Sequence, residues 1–118
     1  MFAKSFSIPR TEFHKIRKEA KLFQSVSFGV LVRKRENLGN PRFGVVISNK
    51  ISKLATHRNR IRRSFRDALR RNWKKVEDGQ DIVFLVKPGI ERLPVSDIMK
   101  EIEVFIDNKG YERKTPKI

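Results

Sequence analysis

The hydrophobic positions near the start of the chain change from helical to extended spacing. Phe13 and Ile16 share one face behind Thr11, which predicts a short helix over residues 11–20 with Thr11 as its N-cap. Over residues 26–32, apolar side chains alternate with mixed ones. This period of two predicts a strand with one apolar face and one mixed face that can stay open.

A cluster of turn-forming residues follows at positions 37–41, which include two asparagines, a glycine and a proline. Beyond it, residues 43–47 form a second short apolar segment that is typical of a strand. Two strand patterns joined by turn chemistry predict an antiparallel hairpin.

The longest helical pattern covers residues 57–75, and Thr56 is its predicted N-cap. Five apolar residues fall on one arc of this helix at the helical advance of about 100° per residue: Ile61, Phe65, Ala68, Leu69 and Trp73. The helix is therefore expected to pack through this arc and to expose the opposite side.

Two further elements complete the pattern. Residues 82–86 form an uninterrupted apolar run that ends at Pro88 and Gly89, which predicts a buried strand. A last helix is predicted from an N-cap at Ser96 to Gly110, and residues 110–118 are expected to be a frayed tail.

The predicted element order is helix, strand, strand, helix, strand, helix. The pattern leaves room for one further short strand. No internal repeat or long linker divides residues 1–118. We therefore expect a single α+β domain, built as a two-layer sandwich of helices on a sheet.

The absence of cysteine limits the possible chemistry. With no cysteine in 118 residues, a disulfide scaffold, a zinc site with cysteine ligands and a thiol nucleophile are excluded. The longest apolar run is five residues, too short to span a membrane, and the N-terminal segment lacks the apolar core of a secretory signal. The sequence predicts a soluble, unexported, cytoplasmic protein.

The formal net charge of +15 is unevenly distributed. Residues 1–75 contribute +17 and residues 76–118 contribute −2, and the densest part, residues 57–75, holds nine basic residues and one acid. An excess this large and this localised indicates a polyanionic partner. Nucleic acid is the first candidate and an anionic membrane surface is the second.

The basic residues at the start of the long helix oppose the local electrostatics. Arg58 and Arg60 lie where a helix N-terminus carries partial positive charge, and neighbours such as Arg62 and Arg66 repel each other at one-turn spacing. A bound phosphate would reverse the sign of these interactions, so the segment predicts a phosphate-binding face. The alternative is a solvated helix whose arginines keep the domain soluble.

Residues 58–66, which read RNRIRRSFR, resemble the RNR signature of the protein subunit of bacterial ribonuclease P. That ribonucleoprotein removes the 5′ leaders of precursor tRNAs. Residues 42–50, which read RFGVVISNK, are similar to the strand and loop before the signature, and residues 81–89 resemble the later strand and turn. Together with element order, the resemblance covers residues 5–107.

The resemblance implies two RNA-binding surfaces. The RNR helix and the loop before it would bind the RNA subunit through Lys50, Arg58, Asn59, Arg60, Arg62, Arg63, Arg66 and Arg70. A cleft between the first helix and the open sheet face would hold the single-stranded leader at Phe13, Arg17 and Leu31, where an aromatic ring can stack on any base. The resemblance also implies a left-handed crossover from strand 43–47 to strand 82–86, whereas general handedness rules favour a right-handed one.

Four positions differ from the residues common in the family. Arg17 stands where many members have a second aromatic residue, and Leu31 stands where some have a tyrosine. Ala20 replaces a common glycine, and Asn49 replaces one lysine of a usual pair, which leaves Lys50. A guanidinium at position 17 could stack on a base or contact a phosphate in place of the missing ring.

No set of residues in the sequence has the spacing of a catalytic centre. His14 and His57 match no metal-ligand spacing, and His57 is either an RNA contact or an ordinary histidine. Asp67, the acid nearest the basic segment, is explained by an ion pair with Arg63 or Arg71 one turn away. The resemblance implies that the RNA subunit performs the chemistry with its own Mg²⁺ ions, while this chain binds that RNA and precursor tRNA and needs no protein partner.

Three alternatives stay open from the sequence. A structural RNA-binding protein, such as a ribosomal component, would use the same charge without a cleft. A self-sufficient metal-dependent nuclease would need several acidic residues beside the basic surface. Phe13 could also be a plain core residue rather than a stacking platform.

Overall fold

The computed structural model describes residues 7–35, 39–48, 50–51 and 53–108. These residues form a four-stranded sheet packed with helices, and the predicted α+β fold is confirmed. Gly110 and the predicted frayed tail lie outside the described residues.

The elements follow the hydrophobic pattern closely. The helices are α1 (Phe13–Glu19), α2 (Ala55–Asn72) and α3 (Val95–Asp107), and the strands are β1 (Lys21–Gln24), β2 (Phe28–Lys34), β3 (Arg42–Val46) and β4 (Gln80–Val86). Short 3₁₀ turns at Arg10–Glu12, Trp73–Lys75 and Ile90–Arg92 lead into α1, extend α2 and precede α3. The predicted element ends differ from the observed ones by at most three residues.

The strand order in the sheet is β1-β2-β4-β3. Strand β2 runs antiparallel to β1 and β4, with Val30 opposite both Phe23 and Phe84. Strand β3 pairs in parallel with β4, with Val45 opposite Phe84. The predicted hairpin between β2 and β3 is therefore wrong, because β4 lies between them.

The burial of β4 explains this order. Ile82, Val83 and Phe84 are each at most 2% exposed, so both faces of the strand are covered. A strand that is apolar on both faces belongs at the centre of a sheet, where it separates β3 from β2. The parallel pairing makes α2 part of a crossover from β3 to β4. The handedness of that crossover stays a prediction.

Strand β1 is the further short strand that the sequence pattern left open. It has four residues, and only Phe23 among them is buried. So short an alternation is difficult to distinguish from a loop, which is why the predicted element order did not include it.

None of the three α-helices begins with a side-chain cap. The N-cap residues are Glu12, Leu54 and Pro94, and none of them makes a side-chain cap hydrogen bond. The predicted N-caps lie one or two residues away and are wrong: Thr11, Thr56 and Ser96. Thr11 lies in the 3₁₀ turn, whereas the other two lie inside the first helical turn, because Ala55 and Val95 already adopt helical conformation.

The main core lies between the sheet and the pair formed by α2 and α3. Phe28, Phe65 and Phe84 are at most 1% exposed, and their ring centroids are 5.2 to 5.6 Å apart. These separations are favourable for edge and tilted aromatic contacts. The apolar arc predicted for α2 is confirmed: Ile61, Phe65, Ala68 and Leu69 are buried, and Trp73 packs against the same core.

Helix α1 covers only part of the opposite face of the sheet. Ile16 is fully buried there and packs with Ile8, Leu31 and Val83 in a small second cluster. Leu22, which pairs with Leu31 across β1 and β2, is 54% exposed. The mixed face of the sheet therefore stays partly open beside α1.

Candidate nucleic-acid interfaces

The exposed side of α2 carries the arginines predicted to bind RNA. Ile61 and Phe65 are fully buried on one side of the helix, whereas Arg62, Arg63 and Arg70 are exposed. We define the arginine face as Asn59, Arg62, Arg63, Arg66 and Arg70. Its guanidinium groups form a row of forked donors, a geometry suited to paired contacts with phosphate oxygens.

Arg60 and Arg66 are among the arginines of α2 that have contacts inside the protein. Nη2 of Arg60 donates to the backbone oxygen of Glu91 at 2.7 Å and so ties α2 to the turn before α3. Nε of Arg66 lies 3.6 Å from Oδ1 of Asp67. The ion pair of Asp67 is therefore with its chain neighbour, and the predicted pairing with a residue one turn away is wrong.

The remaining predicted RNA-binding residues lie around the start of α2. Oδ1 of Asn59 accepts a hydrogen bond from Nη1 of Arg62 at 3.2 Å. Arg58 and His57 are partly buried in the first turns of the helix. Lys50 is exposed in the connection before α2, and Asn49 lies outside the described residues.

A cleft of about 340 Å³ lies between α1 and the open face of the sheet. Phe13 and Arg17, one turn apart on the same flank of α1, form its wall, and Leu31 lies in its floor. The other lining residues are His14, Val46, Val83 and Leu85. The structure therefore brings the three predicted cleft residues together.

Phe13 is half-buried, and its ring lies against the backbone of β3 at Gly44. A Cβ atom at Gly44 would be 2.9 Å from Cζ of Phe13, closer than such contacts occur. The ring packs on the small second cluster and also lines the cleft. Phe13 is thus neither a plain core residue nor a fully exposed aromatic one.

An ion-pair cluster that the sequence did not predict lies on the same sheet face. Asp81 is fully buried and accepts hydrogen bonds from three arginines. Arg42 donates to it twice, from Nε at 2.8 Å and from Nη2 at 3.0 Å. Nη2 of Arg33 donates at 2.9 Å, and Nη1 of Arg35 donates at 2.5 Å.

The same cluster reaches both ends of α1. Nη2 and Nη1 of Arg42 donate to Oε1 and Oε2 of Glu12 at 2.9 and 3.2 Å. At the other end of the helix, Oε2 of Glu19 lies 3.7 Å from Nη1 of Arg33. Two carboxylates, Glu12 at the N-cap of α1 and Glu19 in its last turn, therefore pair with arginines of the sheet.

The arginines keep the carboxylates of this cluster ionised. Burial alone would raise the pKa of Asp81, but hydrogen bonds from Arg42 and Arg35 outweigh it, and the pKa is lowered. The hydrogen bond from Arg42 also lowers the pKa of Glu12. Both groups therefore carry negative charge at neutral pH and compensate the guanidinium groups around them.

The register of the sheet assembles this cluster. Asp81 lies directly opposite Arg33 across β2 and β4, and directly opposite Arg42 across β3 and β4. The partners are far apart in the chain, so spacing in the sequence cannot reveal the contact. The available signal was an aspartate at the start of an apolar strand, since a buried carboxylate requires cationic partners.

The part of the chain that the structure describes contains neither a candidate metal-binding cluster nor a helix able to span a membrane. Within it, no group of three or more histidine, aspartate or glutamate side chains is arranged to hold a metal ion. Over the same ranges, no helix has the length and apolar character needed to cross a membrane.

Comparisons with known proteins agree with one another. A family model described as Ribonuclease P matches residues 8–110. The ribonuclease P protein component of Nitrosococcus oceani is 37% identical over 92 residues, which cover 78% of this chain and 76% of the relative. The corresponding component of a Marinomonas species is 40% identical over 89 residues, covering 75% of this chain and 66% of the relative. The solved structure of the RNase P protein from Thermotoga maritima has a TM-score of 0.76 at 27% identity, covering 92% of this chain and 98% of that one.

Proposed function

Because this chain belongs to the ribonuclease P protein family, we propose that it binds two RNAs through separate surfaces, the RNA subunit through α2 and the precursor tRNA leader through the cleft. The chain is the protein subunit of ribonuclease P, the tRNA-processing holoenzyme. The observation that carries the proposal is the separation of the two surfaces by the sheet. Helix α2 packs on one face, and the cleft opens on the other.

The arginine face supplies the contact with the RNA subunit. Its guanidinium groups are concentrated on a helix with no acidic residue in its first turn. Neutralising RNA phosphates relieves the repulsion among these groups and releases counterions from the RNA. Arg58, Arg60 and the exposed Lys50 lie at the same end of α2 and extend the basic surface.

Replacing Arg62 and Arg63 by alanine tests this contact. We expect weaker binding to ribonuclease P RNA and a salt dependence that is flatter by about 0.7 to 0.9 per lost phosphate contact. Lys34→Ala, which removes an exposed charge from the end of β2, is the matched control and should change the slope little. An unchanged slope in the double variant would exclude this face as the site of RNA-subunit binding.

The cleft supplies the contact with the leader. Its floor is apolar, its wall carries the ring of Phe13 and the guanidinium of Arg17, and it is open on one side. A single-stranded nucleotide can stack on the ring while its phosphate pairs with the arginine, and neither contact depends on base identity. A factor that processes many precursors requires this tolerance, and mature tRNA has no leader to occupy the cleft.

Phe13→Ala in the assembled complex tests the leader contact. The affinity for precursor tRNA should fall about tenfold, since stacking on an aromatic ring contributes roughly 1 to 3 kcal/mol per base. The affinity for mature tRNA should not change, and Phe13→Tyr, which keeps the ring, should bind precursor nearly as well as the original chain. Equal losses for precursor and mature tRNA would contradict the assignment.

The metal-dependent chemistry of ribonuclease P is proposed to belong to the RNA subunit, which would hold the catalytic Mg²⁺ ions. This chain would then contribute by offsetting phosphate repulsion between two RNAs and by extending the binding site along the leader. Reconstitution tests this division. Added to bacterial ribonuclease P RNA at low Mg²⁺, the chain should restore leader cleavage, and without that RNA it should cleave nothing. A structural RNA-binding protein would leave cleavage unchanged.

A further inference from the structure

Helix α1 has little apolar contact to hold it in place. It contains seven residues, and Ile16 is the one that is buried. A helix this short is not stable by itself in water. The half-buried ring of Phe13 adds to this contact, but so small an apolar area leaves a part for polar contacts in fixing the distance of α1 from the sheet and its rotation about its own axis.

The spacing of the α1 ion pairs provides that constraint. Glu12, Ile16 and Glu19 follow one another at intervals of four and three residues, so they share one face of the helix turn. That face meets the sheet, with Ile16 buried between a carboxylate at each end. Phe13 and Arg17 lie about a quarter turn around the axis, on the flank that lines the cleft.

On the sheet side of the stronger ion pair, further hydrogen bonds hold Arg42. Three nitrogens of Arg42 donate to two carboxylates, with Nε and Nη2 directed to Asp81 and Nη1 and Nη2 directed to Glu12. Asp81 is fully buried, so these two hydrogen bonds restrain Arg42 on the sheet when Glu12 pairs with it. The pair between Glu19 and Arg33 is longer, at 3.7 Å, and Glu19 is half exposed, so this contact is weaker.

We propose that Glu12 and, to a smaller extent, Glu19 are positioning residues for the leader. By pairing with Arg42 and Arg33 they hold α1 in the rotation that directs Phe13 and Arg17 into the cleft. Neither carboxylate needs to touch RNA. This inference rests on the proposed leader-binding function of the cleft and assigns it a set of supporting contacts.

The proposal predicts the opposite sign from simple electrostatics. Removing a negative charge from a protein that binds a polyanion should strengthen binding, because the surface becomes more positive. If Glu12 positions α1, its neutralisation should instead weaken leader binding, because Phe13 and Arg17 lose their fixed orientation.

The experiment measures Glu12→Gln in the complete chain assembled with ribonuclease P RNA. We expect precursor affinity to fall about threefold, which is less than the loss expected for Phe13→Ala, because the ring is still present but less well oriented. KM for precursor should rise while kcat at saturating precursor stays unchanged, and the affinities for mature tRNA and for the RNA subunit should not change. Glu103→Gln removes the same charge from α3 in the other layer, and it should not weaken precursor binding. Tighter or unchanged precursor binding in Glu12→Gln would overturn the proposal.

Measuring Glu12→Gln in a background without the cleft side chains separates this inference from the proposed function on which it rests. In a Phe13→Ala, Arg17→Ala background, Glu12→Gln should have little further effect, because the two cleft side chains that Glu12 would position are absent. An equal loss in both backgrounds would overturn the positioning role while leaving the leader cleft intact. No loss from Phe13→Ala itself would instead overturn the proposed function.

Glu19→Gln provides a second test that does not depend on the stronger ion pair. It should weaken precursor binding in the same direction as Glu12→Gln but by a smaller factor. Thermal unfolding followed through Trp73, which packs in the main core beyond the sheet, verifies that each variant is folded. A folded Glu19→Gln variant that binds precursor more tightly would contradict the proposal.

Discussion

The contact between Phe13 and Gly44 determines how closely the cleft aromatic approaches the sheet. Gly44→Ala should cost about 1 to 3 kcal/mol in the free energy of unfolding, because the added Cβ lies 2.9 Å from Cζ of Phe13 and the ring must move. In a Phe13→Ala background the same substitution should cost little. Urea unfolding of the four proteins measures this coupling, and equal costs in both backgrounds would show that the two residues are not in contact.

Loss of the buried carboxylate of Asp81 should strongly destabilise the fold. It is fully buried and accepts hydrogen bonds from three arginines. Asp81→Asn would therefore remove the buried counter-charge of these guanidinium groups and leave only the more exposed Glu12 and Glu19 near two of them. The free energy of unfolding should fall by about 3 to 5 kcal/mol, as for other broken buried ion pairs. Urea unfolding gives the value. Asp97→Asn, an exposed acid in the first turn of α3, is the matched control, and its cost should be under about 1 kcal/mol.

The same carboxylates predict the response to acid. Glu12 and Asp81 have lowered pKa values in the folded chain, so each stabilises the fold above its unfolded pKa, which is near 4. That contribution is lost as the pH falls through the lower folded pKa. The free energy of unfolding should therefore be nearly constant from about pH 7 to about pH 5 and should decrease below about pH 4. Asp81→Asn should show a shallower decrease, and an equal slope would exclude Asp81 as a source of it.

At the residue scale, the sequence predicted the cleft residues but not their support. Phe13, Arg17 and Leu31 were expected to meet, and they line one cleft. The pairing of Asp81 with Arg33 and Arg42 depends on strand register, which local sequence does not determine. The three predicted N-caps were wrong because α1 begins one residue later, and α2 and α3 two residues earlier, than the capping preference of the side chains implies. Local capping preference is weak, and the packing of the whole fold can override it.

At the element scale, α2 carries arginines of two kinds. Arg60 donates to the backbone of Glu91 before α3, whereas Arg63 is exposed on the arginine face. Arg60→Ala should therefore lower the free energy of unfolding by about 1 kcal/mol as well as weaken RNA binding. Arg63→Ala should weaken RNA binding and leave stability within about 0.5 kcal/mol. Urea unfolding of the two variants distinguishes them, and equal stabilities would mean that the Glu91 contact contributes nothing.

The periodicity of apolar residues predicted the buried side of α2 but not the order of the strands in the sheet. The apolar arc of α2 was predicted because 18 helical residues repeat the pattern over several turns. The neighbours of a strand are a non-local property, so turn chemistry after β2 suggested a hairpin that the sheet does not contain. The uninterrupted apolar run in β4 already indicated a central strand, and a central β4 is what separates β2 from β3.

At the scale of the whole molecule, the RNR segment predicted the family together with residues 42–50, residues 81–89 and the element order. The family model matches residues 8–110, as the resemblance implied. The sequence could not show that the sheet separates the arginine face from the cleft, because that depends on which face each helix covers. In the proposed function, this separation lets one small domain bind the RNA subunit and the leader at the same time.

The ratio of affinities for precursor and mature tRNA tests the central claim most directly. The complex of this chain with ribonuclease P RNA should bind a precursor about tenfold more tightly than the same tRNA without its leader, and shortening the leader should reduce the ratio. The RNA subunit alone should show a smaller ratio, because it lacks the cleft. Equal ratios with and without the chain would contradict the account.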